Sequence, residues 1–157
     1  MPALPIPDHE MLKAWLEQYQ IEYYLCNSCE GLHLPQLQDV NGIYDAKVEI
    51  EGDFLYCSAS IELRPTGVMP AHAELGRWNS EFPTLKIFIE MVDDTLPRLV
   101  LCHNLALRPG VEEAQFIYFV RDCIEQMEQA AKEVKQLGVI YFPEDANDKP
   151  TEATLVH

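Results

Sequence analysis

The residue types and spacing that could do chemistry are concentrated in Cys26-x-x-Cys29-x-x-x-His33. Two thiols separated by two residues, with an imidazole four positions further on, have the spacing of zinc ligands. A structural zinc site takes four ligands, commonly as two such pairs. Cys57, Cys102 and Cys123 each stand singly, and His72 and His103 have no partner three or four residues away. Alternation through Leu32-His33-Leu34 puts His33 on the face opposite the leucines, which predicts that it points outward. A dithiol redox centre would want its Cys-x-x-Cys at the start of a helix, where the dipole lowers the first thiol pKa. Asn27-Ser28-Cys29-Glu30-Gly31 is turn chemistry instead. Small residues around a turn are the competing account, so the sequence alone assigns no metal and no cofactor. Cys26, Cys29 and His33 stand as candidates for a zinc- or thiol-based sensor.

Elsewhere the chemistry is sparse. His103 lies among Leu99, Leu101, Leu105 and Leu107 by parity and reads as a hydrogen-bonded core or rim residue rather than a base. Asp93-Asp94 reads as a solvated hairpin tip. There is no glycine-rich phosphate loop, nucleophile elbow, HExxH or EF-hand loop. No Ser or Cys stands in a nucleophile's context. No catalytic residue is assigned, and the expectation is a protein that is not an enzyme.

These residues need elements to position them. The longest helical signal is Glu112–Leu137, with apolar residues at Phe116/Ile117, Val120, Cys123/Ile124, Met127, Ala130/Ala131, Val134 and Leu137. Steps of three and four keep that stripe on one side of a helix. Pro109-Gly110 precedes it and Gly138 suits its C′ position. Asp8 caps an earlier helix carrying Leu12, Trp15 and Leu16. Ile21–Cys26 and Leu32–Leu34 read as short strands, the second ended by Pro35. Ile43–Ile50 and Phe54–Arg64 alternate strictly and form a hairpin, with Tyr44, Ala46, Val48 and Ile50 inward on its first strand. Pro70 opens a second helix with Ala71, Leu75, Trp78 and Phe82 inward. Thr84–Val92 and the leucine strand after it form a second hairpin, with Leu85, Ile87, Ile89 and Met91 inward and Phe88 outward. Strands joined by short turns pair antiparallel, so the expected fold class is α+β, a two-layer sandwich of helices on a twisted antiparallel sheet. Residues 1–143 form one domain and 144–157 a polar, flexible tail. Gly76 in the second helix, with Trp78 and the outward Phe88, marks a candidate homodimer or partner contact.

The composition narrows the partners. The chain has 157 residues, with 26 Asp and Glu against 11 Lys and Arg. A surface this acidic repels phosphate backbones, which argues against nucleic acid and leaves protein partners. No apolar run approaches the length of a membrane span, and the N-terminus lacks a basic start followed by an apolar region. A cytoplasmic location is expected. The five cysteines are odd in number and mostly set in apolar patterns, as buried reduced thiols are.

Several strings together resemble the YbjN family, in an enterobacterial form. They are Cys-Asn-Ser-Cys (26–29), Leu-His-Leu-Pro (32–35), Tyr-Asp-Ala-Lys (44–47), Arg64-Pro65 and Asp-Asp-Thr-Leu-Pro-Arg-Leu-Val-Leu-Cys (93–102). Gln115-Phe116 and Phe119-Val120-Arg121 extend the match into the long helix. The resemblance implies a fold like that of class I type III secretion chaperones, commonly homodimeric. It also implies a non-enzymatic regulator acting through protein–protein contacts, linked to stress response, motility and exopolysaccharide or virulence control. A secretion-type chaperone holding an extended effector segment is the alternative it leaves open.

Overall fold

A computed structural model describes residues 3–144. The flexible-tail expectation for 144–157 falls, beyond Glu144, outside the described residues. The elements are α1 (His9–Gln18), β1 (Tyr24–Leu25), β2 (Leu32–His33), α2 (Pro35–Gln38), β3 (Asp45–Glu51), β4 (Phe54–Glu62), α3 (Val68–Glu81), β5 (Lys86–Glu90), β6 (Arg98–Ala106) and α4 (Glu113–Gln136). The six strands form one sheet in the order β1-β2-β3-β4-β6-β5, with every pair antiparallel. This is the α+β arrangement expected from the sequence.

The long helix is the main cover of the sheet. Ten of its side chains are buried, from Phe116 through Val134 at helical spacing. Its start is fixed by the Gln115 side chain, whose Oε1 accepts from the Glu112 backbone N–H at 2.9 Å. Its end is released by Gly138 at φ 76°, a left-handed conformation that glycine adopts without a Cβ clash. Under it lie Leu55, Cys57, Ala59 and Ile61, the inward parity of β4. The small Cys57 and Ala59 let the helix approach the sheet closely.

Three expectations need correction, and a fourth, the strand end at Pro35, holds but is incomplete. The strand Ile21–Cys26 contracts to Tyr24–Leu25, because the N–H groups of Gln20 and Ile21 bond back to the end of α1. Pro35 does more than end a strand: it is the first residue of α2, where its missing N–H costs nothing. Tyr44 is exposed, since it precedes the first residue of β3 and its ring lies 5.8 Å from the Arg98 guanidinium. Met91 is exposed too, because β5 ends at Glu90 and the chain has left the sheet.

The two edges of the sheet differ. At β5, the Asn79 amide of α3 accepts from Ile87 N–H at 2.9 Å and donates to Ile87 C=O at 3.0 Å. That side chain therefore occupies a hydrogen-bonding slot where another strand would pair. At the opposite edge, β1 presents Tyr24 and Leu25, both exposed, with Leu25 at 55%. The hairpin that closes β1 onto β2 carries the two cysteines.

Candidate functional site

The turn between β1 and β2 bends the chain so that Cys26 and Cys29 face each other at 3.1 Å between sulfurs. Pairing Tyr24 with His33 in the hairpin then brings the imidazole beside them. Cys29 Sγ lies 3.3 Å from His33 Nε2, and the three ligand atoms all fall within 4.8 Å of one another. Gly31 makes room here: a Cβ at that position would meet the Lys47 side chain at 2.9 Å.

His33 is buried, contrary to the outward placement expected from alternation. The parity was right, since His33 does lie opposite the buried Leu32 and Leu34. Its face, however, is covered: the Tyr24 ring stacks on the imidazole with centroids 5.0 Å apart. Asp45 closes the other side, its Oδ1 standing 2.9 Å from His33 Nδ1. The same oxygen accepts from Gln38 Nε2 and from Ala46 N–H, each at 2.9 Å. A carboxylate so held accepts the Nδ1 proton and leaves the Nε2 lone pair facing the thiols. That is the arrangement by which metal-binding histidines are oriented.

Asp45 was missed by sequence reading. It sits on the wet parity of β3, and its role comes from register: His33 pairs with Lys47, so Asp45 is the diagonal neighbour two residues away. The turn opens onto a cavity of about 310 Å³ lined by Leu25, Cys26, Cys29 and Glu30 from the hairpin and by His9, Glu10 and Lys13 from α1.

Electrostatics divide the two thiols. The Ser28 hydroxyl and then the Cys29 thiol, as hydrogen-bond donors, stabilise the Cys26 thiolate and lower its pKa to about 6. Cys29, holding its proton against Cys26, is raised. Metal-free protein should therefore alkylate at Cys26 first, with a rate that rises through pH 6 and levels off above about pH 7, where an ordinary thiol is still mostly protonated. Mass mapping after a short iodoacetamide pulse checks this; equal labelling of Cys26 and Cys102 at pH 7 would contradict it. Cys102 is the apt reference, because burial pushes its thiol up to about 11.

A second thiol group lies beneath α4. Cys123 Sγ is 3.6 Å from His103 Nδ1, and His103 packs on the Phe119 ring at 4.7 Å. A hydrogen bond with Cys57, together with burial, drives the Cys123 pKa far up, and burial lowers that of His103. Burial thus favours the neutral form of both groups, Cys123 within the core and His103 half-buried at its rim, where the sequence reading of a core or rim histidine allowed it. The Asp93-Asp94 pair is exposed at the β5–β6 turn, with Asp94 at φ 64°.

The three residues offered as a dimer contact are not brought together. Trp78 is fully buried and out of reach of a second copy, because α3 turns it into the core. Gly76 is exposed on α3 with open space where a Cβ would stand. Phe88 lies on the uncovered sheet face beside the Lys86 ammonium, 5.6 Å away. Among the described residues no helix is long and apolar enough to cross a membrane.

The comparisons with known proteins fit this architecture. Residues 8–136 match the YbjN family, described as "Putative bacterial sensory transduction regulator". YbjN of Escherichia coli (strain K12) is 34% identical over 158 residues, covering the whole of both chains, and YbjN of Shigella flexneri matches equally. The crystal structure of E. coli YbjN superimposes with a TM-score of 0.85 at 34% identity, over 88% of this chain and 99% of that one. A chain of the ExoU–SpcU complex from the Pseudomonas aeruginosa type III secretion system gives a TM-score of 0.52 at 18% identity, over 81% of this chain and 97% of that one. That second likeness is one of fold alone. With its sequence matched end to end and its fold superimposed, the chain belongs to the YbjN family.

Proposed function

We propose that this protein is a non-enzymatic regulator whose sensory input is a zinc ion held by Cys26, Cys29 and His33. The supporting observation is the convergence of two sulfurs and an Nε2 within 4.8 Å, with His33 already oriented by Asp45. The fit is close. Tetrahedral zinc with Zn–S bonds near 2.3 Å and Zn–N bonds near 2.0 Å sets sulfurs ~3.8 Å apart and sulfur to nitrogen ~3.6 Å. The sulfurs stand at 3.1 Å, ~0.7 Å short of that spacing, and the nearer sulfur–nitrogen pair at 3.3 Å, ~0.3 Å short, so the turn has to spread its two thiols by under about 1 Å to take the metal. Two thiolates and an imidazole favour zinc over hard cations such as magnesium or calcium.

The output lies next to the input. Cys26 directly follows β1, the exposed strand with a free edge, so zinc would hold in place a two-residue strand that is otherwise secured by few hydrogen bonds. An ordered edge of this kind can accept an extended partner segment by strand addition. The protein partner, the cytoplasmic location that keeps both thiols reduced, and the links to stress response, motility and exopolysaccharide or virulence control belong to this proposal. So does self-association, through surfaces bearing Gly76 or Phe88 and not through Trp78. A secretion-type chaperone would use the same edge for an extended client, and a stoichiometric, non-globular client in pull-downs would favour that reading.

Zinc analysis of protein purified without chelator tests the input. The expected content is about one zinc per chain, lost in the Cys26→Ser/Cys29→Ser double variant. Less than about 0.1 zinc per chain, with no uptake from added zinc, would remove the reading.

A further inference from the structure

The zinc reading leaves one position of a tetrahedral site open, and α1 sets a histidine on the far side of the neighbouring cavity. His9 is the first residue of α1, set there by the Asp8 cap whose Oδ1 accepts from Met11 N–H at 2.9 Å. It lines the same cavity as Cys26 and Cys29 but stands outside the 4.8 Å cluster that their sulfurs form with His33 Nε2, so the start of α1 has to close on the hairpin for His9 to reach the metal. Its Nε2 is shut off from solvent and has no hydrogen-bond partner among the described residues. A buried imidazole nitrogen without a partner is destabilising unless something else satisfies it. The other side chains around the cavity are poorer candidates. Lys13 and Glu10 engage each other at 2.8 Å, and Glu30 is exposed to water.

We propose that His9 is the fourth ligand of a closed Cys2His2 zinc site with Cys26, Cys29 and His33. The inference rests on the zinc reading above. Its consequence is mechanical: metal binding ties the N-terminal end of α1 to the edge hairpin across the cavity. At its other end α1 is already joined to the start of β1 by Tyr23, whose hydroxyl donates to Glu17 at 2.6 Å. Zinc would close that segment into a loop pinned at both ends, and its loss would free the hairpin from the helix. Three ligands plus water make an exchangeable site, whereas four protein ligands make a structural one. The identity of the fourth ligand therefore decides whether zinc is held or merely sampled.

The test uses the full chain loaded with zinc or with cobalt(II) as a spectroscopic stand-in. X-ray absorption of the zinc-loaded protein should show two sulfurs and two imidazole nitrogens. In His9→Gln one imidazole should be replaced by oxygen. The zinc affinity, read by chelator competition, should fall at least about tenfold, since even outer-shell partners of zinc ligands are worth about 10–100-fold. Zinc should slow amide exchange in α1 and β1 of the wild type, and do so much less in His9→Gln and His9→Ala. Circular dichroism of the metal-free variants verifies that each is folded. A wild-type signal of two sulfurs, one imidazole and one oxygen, with His9→Gln unchanged in affinity, overturns the His9 assignment alone. A wild type that binds neither metal overturns both this inference and the reading beneath it.

Discussion

Phe116→Ala is expected to lower the unfolding free energy by about 3–5 kcal/mol, the range for deleting a fully buried aromatic. Phe116 sits in the first turn of α4, wholly buried, with the Trp15 ring of α1 at 5.6 Å and tilted by 44°. Removing it leaves a cavity where two helices and the sheet converge, and the close packing of a core closes such a gap only partly. Phe116→Leu should recover most of the loss, leaving a deficit of about 1–1.5 kcal/mol. Tyr118→Ala, two residues along on the same helix and 73% exposed, should stay within about 0.5 kcal/mol of wild type. Urea titrations of the four proteins give the ranking directly. If Phe116→Ala and Tyr118→Ala unfolded at the same midpoint, α4 would not be the cover of this core.

Asp45→Ala should weaken zinc binding about 10–100-fold while leaving all three proposed first ligands in place. The carboxylate accepts from His33 Nδ1, Gln38 Nε2 and Ala46 N–H through one oxygen. Without it, nothing at Nδ1 selects the tautomer that presents the Nε2 lone pair to the thiols. The imidazole can then turn under the Tyr24 ring, and binding has to restore the orientation each time. Asp45→Asn retains an acceptor oxygen and should lose only a few-fold. Chelator competition on the three proteins measures the series, with far-UV circular dichroism as the check on folding. An Asp45→Ala affinity within twofold of wild type would mean that the Tyr24 stack alone orients the ring.

How far the sequence spoke depends on whether a pattern names a face or a neighbour. The β3–β4 hairpin and α4 were legible because each repeats its period many times, and a repeated period determines which side is buried. In His33 the period was too short to carry the same inference. Alternation placed it opposite Leu32 and Leu34, as found, but a face is exposed only if nothing covers it. Tyr24, Gln38 and Asp45 cover this one, and they come from a two-residue strand, a four-residue helix and the start of β3. Short elements leave little periodic signal. Pro35 shows the same limit, since a proline after a strand ends that strand whether or not a helix begins there. His9 left no signal of any kind, because it comes to line the cavity of the hairpin cysteines only through the packing of α1 on the core.

The Asn79 amide on β5 also restricts how this protein can assemble. A sheet that grows indefinitely needs two complementary borders, one on each side of every added subunit. Here one border is occupied by a side chain of the same subunit, so stacking through that strand is blocked at Ile87. Among the described residues the β1 border carries no such occupant, and a surface that pairs with its own copy closes after two subunits around a two-fold axis. Strand pairing through β1 is thus compatible with a dimer or a one-to-one complex, and Asn79 disfavours extension from the β5 side. If zinc orders the β1 border, the metal also controls the edge at which the sheet is most open to extension.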